Sequence, residues 1–173
     1  MILNRDSKEL IKVGEGEKSY YVYPGSIFCH DKEGLIIDLP SPLHVAGTII
    51  CRATEKTGNC LKSRVSIFVT QSLHFTGDIK VFKGSLNILE NLIGDGKINV
   101  EEQIICRQLL CSSLGSFATD VITDINCKSL LCFGRVLITG RIKAKDGYSV
   151  FGEIKDGLSL YGGVLSEKDY VFK

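Results

Sequence analysis

Four cysteines in the second half of the chain have a spacing that could bind a metal ion. Cys106 and Cys111 form a C-x4-C pair, and Cys127 and Cys132 repeat that pair 21 residues later. Four thiolates are a common ligand set of structural zinc sites. Cysteine is also a small apolar residue that is often buried, and the two leucines inside each pair favour this second interpretation. We therefore expect buried cysteines that stack in a repeating architecture, with no cofactor.

Two carboxylates could act as an acid–base pair. Glu101 and Asp120 are 19 residues apart, which is also the spacing of a glycine repeat, so we expect them to lie in one column on adjacent coils. Carboxylates about 5 Å apart are the pair that retaining glycosidases use. Thr139 and Phe82 occupy the same column in other units. The column is therefore not uniformly acidic, and solvated surface carboxylates are the interpretation that we favour over catalysis.

The remaining candidate residues suggest contacts more than chemistry. His44 and His74 each lie between two inward positions, which predicts that both point outward, on different faces. No cysteine–histidine or histidine–carboxylate pair is apparent. Tyr20, Tyr21 and Tyr23 form an aromatic cluster that could bind a partner protein or cover the end of the core. Basic residues interleaved with aromatic residues, the pattern of nucleic-acid binding, are absent.

A glycine repeat indicates the elements that must position these residues. The recurring glycines are Gly58, Gly77, Gly96, Gly115, Gly134 and Gly152. The residue two positions after each of them is apolar, and alternation continues from there, which is typical of a short strand that follows a turn. Helical spacing of apolar residues fails from 35 to 165.

Each repeat contains three such strands. In the unit that begins at Gly134, the inward pairs are Val136/Ile138, Ile142/Ala144 and Tyr148/Val150, six residues apart. The sequence therefore predicts an all-β fold, a single-stranded right-handed parallel β-helix of triangular section with about 18–21 residues per coil. An antiparallel β-sandwich or barrel is the alternative. The near-constant glycine spacing favours the β-helix.

The predicted boundaries follow from where this register applies. Residues 1–35 do not show it and are predicted to be an N-terminal capping segment, in which "SYYVYPG" is a strand ended by a Pro-Gly turn. Residues 36–165 form the predicted β-helix, and residues 166–173 form a C-terminal tail. An end coil without a cap would expose unpaired backbone and apolar surface.

Composition limits the class of protein. The chain has 173 residues, a formal net charge of +1 and 44% hydrophobic residues, as expected for a globular domain without strong affinity for nucleic acid or anionic membranes. No apolar run approaches the roughly 20 residues that span a bilayer. The N-terminus becomes charged within a few residues, unlike a signal peptide. We therefore predict reduced cysteines and a cytoplasmic location.

The stretch "GRVLITGRIKAKDGYSVFGEIKDGLSLYGG" (134–163) resembles the bactofilin family, which repeats G-x-[IV]-x-G-x-[IV]-x-A phrases. Gly134, Val136, Gly140, Ile142 and Ala144 match such a phrase with one extra residue between the glycines. The resemblance implies a right-handed triangular β-helix and nucleotide-independent polymerisation by end-to-end stacking. The interior of this chain is richer in Cys and Leu, and its N-terminal segment is longer and more structured than the resemblance implies.

These observations predict a non-catalytic β-helical protein that acts by protein–protein contact, in self-assembly or as a scaffold. The expected partner is a protein, either another copy of the chain in a homo-oligomer or a different protein, with no nucleic acid and no membrane span. Two alternatives remain open. One is an immunity or inhibitor-type protein that binds and blocks a partner, and the other is the carbohydrate-active enzyme that would use Glu101 and Asp120.

Overall fold

The computed structural model describes the backbone of most of the chain and the side chains of its first two thirds. The described backbone comprises residues 1–53, 58–96, 98–112, 119–121, 124–133, 136–138, 141–144, 148–151, 159–160 and 170–171. The described side chains are those of residues 1–53, 58–96 and 98–110.

Short strands follow one another along the described chain, and three of them make one coil. The first two coils contain β1 (Ile2–Asn4), β2 (Ile11–Val13), β3 (Tyr20–Tyr23), β4 (Ile27–Asp31), β5 (Leu35–Asp38), β6 (Leu43–Val45) and β7 (Ile49–Ala53). The next two contain β8 (Asn59–Ser63), β9 (Ile67–Val69), β10 (Leu73–Thr76), β11 (Asp78–Val81), β12 (Leu86–Ile88) and β13 (Asn91–Asp95).

Later coils use longer strands. Their elements are β14 (Ile98–Val100), β15 (Gln103–Ser112), β16 (Thr119–Val121), β17 (Asp124–Phe133), β18 (Val136–Ile138), β19 (Arg141–Ala144) and β20 (Tyr148–Phe151). The last two described strands are β21 (Ser159–Leu160) and β22 (Tyr170–Val171). A 3₁₀ turn at Gly16–Lys18 is the helical element of the described residues.

The strands stack into the three sides of a parallel β-solenoid. Side 1 is the 7-stranded sheet β1-β5-β8-β11-β14-β16-β18. Side 2 stacks β3, β6, β9, β12, the first half of β15 and of β17, β19 and β21. Side 3 stacks β4, β7, β10, β13, the second half of β15 and of β17, β20 and β22.

This arrangement confirms the predicted fold class. Every described pairing is parallel except that of β2 with β3, which contradicts the sandwich and barrel alternative. Because β15 and β17 each run along two sides, sides 2 and 3 merge into one 15-stranded sheet in these coils. The right-handed sense of the coil stays a prediction.

The N-terminal strands pair with the same three stacks of strands that the rest of the chain forms. β1 pairs with β5, β3 with β6 and β4 with β7, all in parallel, so these strands form the first coil. The insertion between β1 and β3 holds β2 and the 3₁₀ turn, and its Leu10 packs against the core. At the other end, β22 from the predicted C-terminal tail pairs in parallel with β20.

Inward residues form continuous columns that run through the stack. On side 3, one column consists of Ile27, Ile49, Leu73, Leu92 and Leu109, each at most 1% exposed. Burying one such aliphatic side chain contributes roughly 1.5–3 kcal/mol. One coil alone leaves its inward residues open to water above and below, so the columns hold the coils together.

The corner glycines stack as the repeat predicts, as far as the structure describes them. The Asp78 N–H donates to the carbonyl of Gly58 at 3.0 Å, at the corner where Gly77 lies one coil away from Gly58. The φ angles of Gly77 and Gly96 are +108° and +137°, where L side chains are strained. A Cβ on Gly77 would lie 2.6 Å from the Gly58 carbonyl oxygen. Gly115, Gly134 and Gly152 lie outside the described residues.

Two details of the predicted register are wrong. Ile79 pairs with Leu61 instead of Cys60, because Cys60 is the extra residue of a β-bulge in β8. Ile98 pairs with Val121 instead of Phe117. The ten-residue strands β15 and β17 pair along almost their whole length with the 21-residue spacing. Their many cross-strand contacts set the register of this coil, and three-residue β16 follows them.

Candidate functional site

Outward positions also form columns, and on side 3 such a column is mostly apolar. Parallel pairing places Phe28 beside Ile50, then His74, then Ile93, then Leu110. We call these five residues the side 3 column. Phe28 is 70% exposed, and the other four are half-buried on the outer surface of their strands. The backbone register continues from Leu110 to Leu131 and Ser149.

A polar column flanks the side 3 column. It consists of His30, Arg52, Thr76 and Asp95, which are register neighbours two residues further along the same strands. We call it the flanking column. His30, Arg52 and Thr76 are exposed. Side 3 therefore presents an apolar row bordered by a row that has a cation at its second coil and an anion at its fourth.

Asp95 is an unusual member of the flanking column. Its Oδ1 atom is buried and has no hydrogen-bond partner. Burial raises the pKa of this carboxyl group, because the ionised form loses hydration. A carboxylate that is partly removed from water without a donor costs folding free energy. A cation near the exposed part of this carboxyl group would lower that cost.

The outer surface of side 1 has a different character. Its central column places Ile2, Ile36, Lys62, Lys80 and Asn99 beside one another. At the neighbouring corner, Phe82 is 57% exposed and lines a shallow groove with Lys83 and with the Pro40–Pro42 and Arg64–Ser66 segments. Arg64 and Asp38 approach to 3.5 Å, but both are largely exposed, so the ion pair adds little stability. Side 1 thus presents Lys62 and Lys80 on its third and fourth coils, where side 3 presents His74 and Ile93.

Side 2 carries a stack of rings on its outer surface. His44 lies between Tyr20 and Phe68, with ring centroids 4.4 Å and 5.1 Å away. The imidazole is half-buried by these rings, and burial lowers its pKa. His44 and His74 both point outward and lie on different sides, as predicted. Because the rings stack on one another, their flat faces are covered and mainly their edges face the solvent.

The predicted tyrosine patch is divided by the alternation of the strand. Tyr21 is 6% exposed and points into the core in register with Leu43. Tyr23 is half-buried and packs against the same core, whereas Tyr20 points outward onto His44. The three residues therefore do not form one exposed surface. Side chains alternate between the two faces of a strand, so Tyr21 and Tyr23 point inward when Tyr20 points outward. The prediction did not apply this alternation because residues 1–35 were assigned to a cap and not to a coil.

The structure shows a thiol cluster that the sequence did not single out. Cys29 and Cys51 are register neighbours in an inward column of side 3. The bulge at Cys60 directs that side chain to Cys51, with 3.6 Å between the two sulfur atoms. The hydrogen bond with Cys60 and burial raise the pKa of the Cys51 thiol, and burial raises that of Cys29. These are protonated, buried thiols, which are poor nucleophiles.

The four cysteines with metal-like spacing are only partly described. Cys106 and Cys127 are in register, as are Cys111 and Cys132, so the predicted stacking is confirmed at the backbone. Cys106 is 5% exposed. The side chains of the other three lie outside the described residues, so the expectation of buried cysteines without zinc stays a prediction there. Among the described side chains, no three potential ligands are grouped to hold a metal ion.

Glu101 and Asp120 do not share a column. Val121 is opposite Ile98 and Asp120 is opposite Leu137, so Asp120 does not lie beside Glu101. Glu101 is exposed, and its Oε2 accepts a hydrogen bond from the Gly84 N–H at 3.3 Å. The register shift in the β16 coil removes the geometric basis for a paired acid and base at these two positions.

Comparisons with known proteins leave the fold as the main guide. No protein-family model, no curated protein and no solved structure matches the chain. The resemblance of residues 134–163 to bactofilins therefore has the β-solenoid in common with the structure, without a family match. In the part of the chain that the structure describes, no helix is long and apolar enough to cross a membrane.

Proposed function

We propose that the chain is a non-catalytic β-solenoid that acts through protein–protein contact, in self-assembly or as a scaffold. The side 3 column supports this proposal. A row over five coils with apolar residues at four of them, and His74 at the third, is more contiguous than the scattered apolar residues of most monomeric protein surfaces. Such rows, bordered by polar residues, are typical of the centres of protein interfaces.

The fold supports the same function. Stacked coils make a rigid, flat surface whose columns repeat at the strand spacing of about 4.8 Å. A rigid surface loses little conformational entropy when a partner binds. Extended faces of this kind are the binding surfaces of many repeat proteins. The bactofilin-like stretch at 134–163, with its implied polymerisation, favours self-assembly, and a cytoplasmic location is part of the proposal.

A bait experiment with matched variants tests the proposal. Immobilised wild-type chain is compared with Ile93→Lys on side 3 and with Lys80→Ser on side 1, and soluble chain or a native extract is passed over each. We expect the wild type and Lys80→Ser to retain a protein in stoichiometric amount, and Ile93→Lys to lose most of it. Retention of no protein by the wild type would contradict the proposal, and equal retention by Ile93→Lys would show that the contact does not use side 3. A retained foreign protein, with no retained copy of the chain, would indicate the inhibitor-type alternative.

A further inference from the structure

The flanking column of side 3 has opposite charges at equal distances on either side of β10. This arrangement favours one kind of partner. His74 and Thr76 both lie on β10, the third of the five coils, with β7 on one side of β10 and β13 on the other. Arg52 lies on β7 and Asp95 lies on β13, both in the flanking column. Opposite charges are thus placed one coil above and one coil below the same centre.

We propose that side 3 binds a second copy of this chain face to face, with the two solenoids antiparallel and a two-fold axis along β10. This inference rests on the proposed function and names its partner. The two-fold rotation reverses the order of the coils and keeps each column over its own counterpart. Phe28 then meets Leu110 of the second copy, Ile50 meets Ile93, and His74 meets His74.

The flanking columns supply the charge complementarity. The same rotation places Arg52 against Asp95 of the second copy, and symmetry forms this pair twice. Neither residue has an ion pair within the described part of the chain, so both charges are available. A two-fold axis along the solenoid would instead place each coil against itself, where Arg52 would face another Arg52 or Ile50. The charges therefore favour the antiparallel arrangement.

Asp95 strengthens this choice. Its buried Oδ1 without a hydrogen-bond partner makes the residue unfavourable in the isolated chain. Because Oδ1 itself is buried, a guanidinium group of the second copy would meet the exposed part of the carboxylate and compensate its charge. A local cost of this kind, which no hydrogen bond or ion pair in the described part of the chain offsets, is typical of positions that serve a contact.

The area of side 3 limits the expected affinity between the two copies. Five coils of a five-residue strand cover roughly 16 Å by 24 Å, from the rise per residue and the strand spacing. Such a face, roughly 400 Å² on each copy, is smaller than a standard specific interface and belongs to the size class of weak, transient contacts. We therefore expect a weak, reversible dimer with a dissociation constant in the high micromolar range.

Charge reversal tests the geometry by sedimentation equilibrium. The samples are the wild type, Arg52→Asp, Asp95→Arg, the double variant, and an equimolar mixture of the two single variants. Each single variant would set like charges against each other twice and is expected to weaken dimerisation by roughly tenfold or more. The double variant and the mixture restore opposite charges and are expected to recover the wild-type association. Circular dichroism of each sample shows whether the variants fold.

The outcomes separate this inference from the proposed function. Recovery in the double variant and in the mixture supports the antiparallel face. If all variants associate as the wild type does, self-assembly stands but uses another surface, and the inference is overturned. A wild type that stays monomeric at high concentration also overturns the inference. The bait experiment then decides the proposed function by itself.

Discussion

Sides 1 and 3 have the same parallel backbone and a buried apolar interior but different exteriors. Both stack parallel strands over inward columns in which Leu and Ile are the main residues. On the outside, the third and fourth coils of side 1 present Lys62 and Lys80, whereas the side 3 column is mostly apolar. Because the solenoid needs only its inward residues to fold, the outward residues can differ between sides, and this difference points to contact on side 3.

The comparison makes a general prediction that substitutions can test. Changes at corners and inward positions should lower the free energy of unfolding whichever side they lie on. Changes at outward positions should leave folding almost unchanged and alter association only on side 3. The predicted effects follow in decreasing order.

The largest effect is expected at the corner that joins side 3 to side 1. Gly77→Val adds a branched side chain at a φ of +108° and against the Gly58 backbone. We expect it to lower the free energy of unfolding by about 4 kcal/mol or more, or to prevent folding. Urea denaturation measures the loss.

Gly25→Ala is the matched control, because a Cβ there has no atom within 4 Å and the φ is not positive. We expect it to be neutral or slightly stabilising. Equal stability of the Gly77 and Gly25 variants would contradict the assignment of the corner.

A somewhat smaller effect is expected inside side 3. Leu73 is completely buried in β10, and Leu73→Ala should cost about 3 kcal/mol in unfolding free energy. Its neighbour His74 points outward, so His74→Ala should change stability by less than about 0.5 kcal/mol. Thermal unfolding of both variants checks the alternation, and a larger loss at His74 than at Leu73 would show that the strand faces the other way.

Outward substitutions should separate association from folding. Ile93→Lys places a charge in the centre of the side 3 column, and we expect it to weaken self-association roughly tenfold or more with a stability change within about 0.5 kcal/mol. Lys80→Ser on side 1 should change neither quantity. Size-exclusion chromatography with light scattering measures the mass of both. Loss of association in Lys80→Ser as well would indicate that the two sides do not differ in function.

The smallest effect is a pH dependence on side 2. Burial lowers the pKa of His44 below the ordinary value of 6.5, so the folded state favours the neutral ring. The stability due to this ring is full above pH 6.5 and is lost as the pH falls through the folded-state value. We expect a loss of less than about 1 kcal/mol between pH 7 and pH 5. His44→Phe keeps the stack and should remove this step, which thermal melts at several pH values will show. An unchanged step in that variant would assign it to another group.

The sequence was sufficient to predict the fold because the interior repeats. Alternating apolar residues and near-constant glycine spacing predicted parallel stacking, and columns such as Ile49, Leu73 and Leu92 follow from them. The pairing register between adjacent coils was harder to predict. The bulge at Cys60 and the shift at Val121 change the spacing by a few residues, and an apolar residue fits the core in either register.

The candidate surface was not predicted because outward residues obey no rule of their own. Phe28, Ile50 and Ile93 are separated by unequal intervals, since insertions at the corners differ between coils. Each alone is an ordinary apolar residue on a surface. A signal existed in the apolar residues that lie between two inward positions. Only an alignment of coils by structural register shows that they form one row.

Hydroxyl-radical footprinting of two phenylalanines tests the central claim most directly. Phe28 on side 3 and Phe82 at the corner next to side 1 are 70% and 57% exposed, so the two rings report different surfaces of the same molecule. As the protein concentration rises from well below to well above the micromolar range, we expect the oxidation of Phe28 to fall severalfold while that of Phe82 stays constant. Equal protection of both residues, or constant oxidation of Phe28, would contradict the assignment of side 3 as the contact surface.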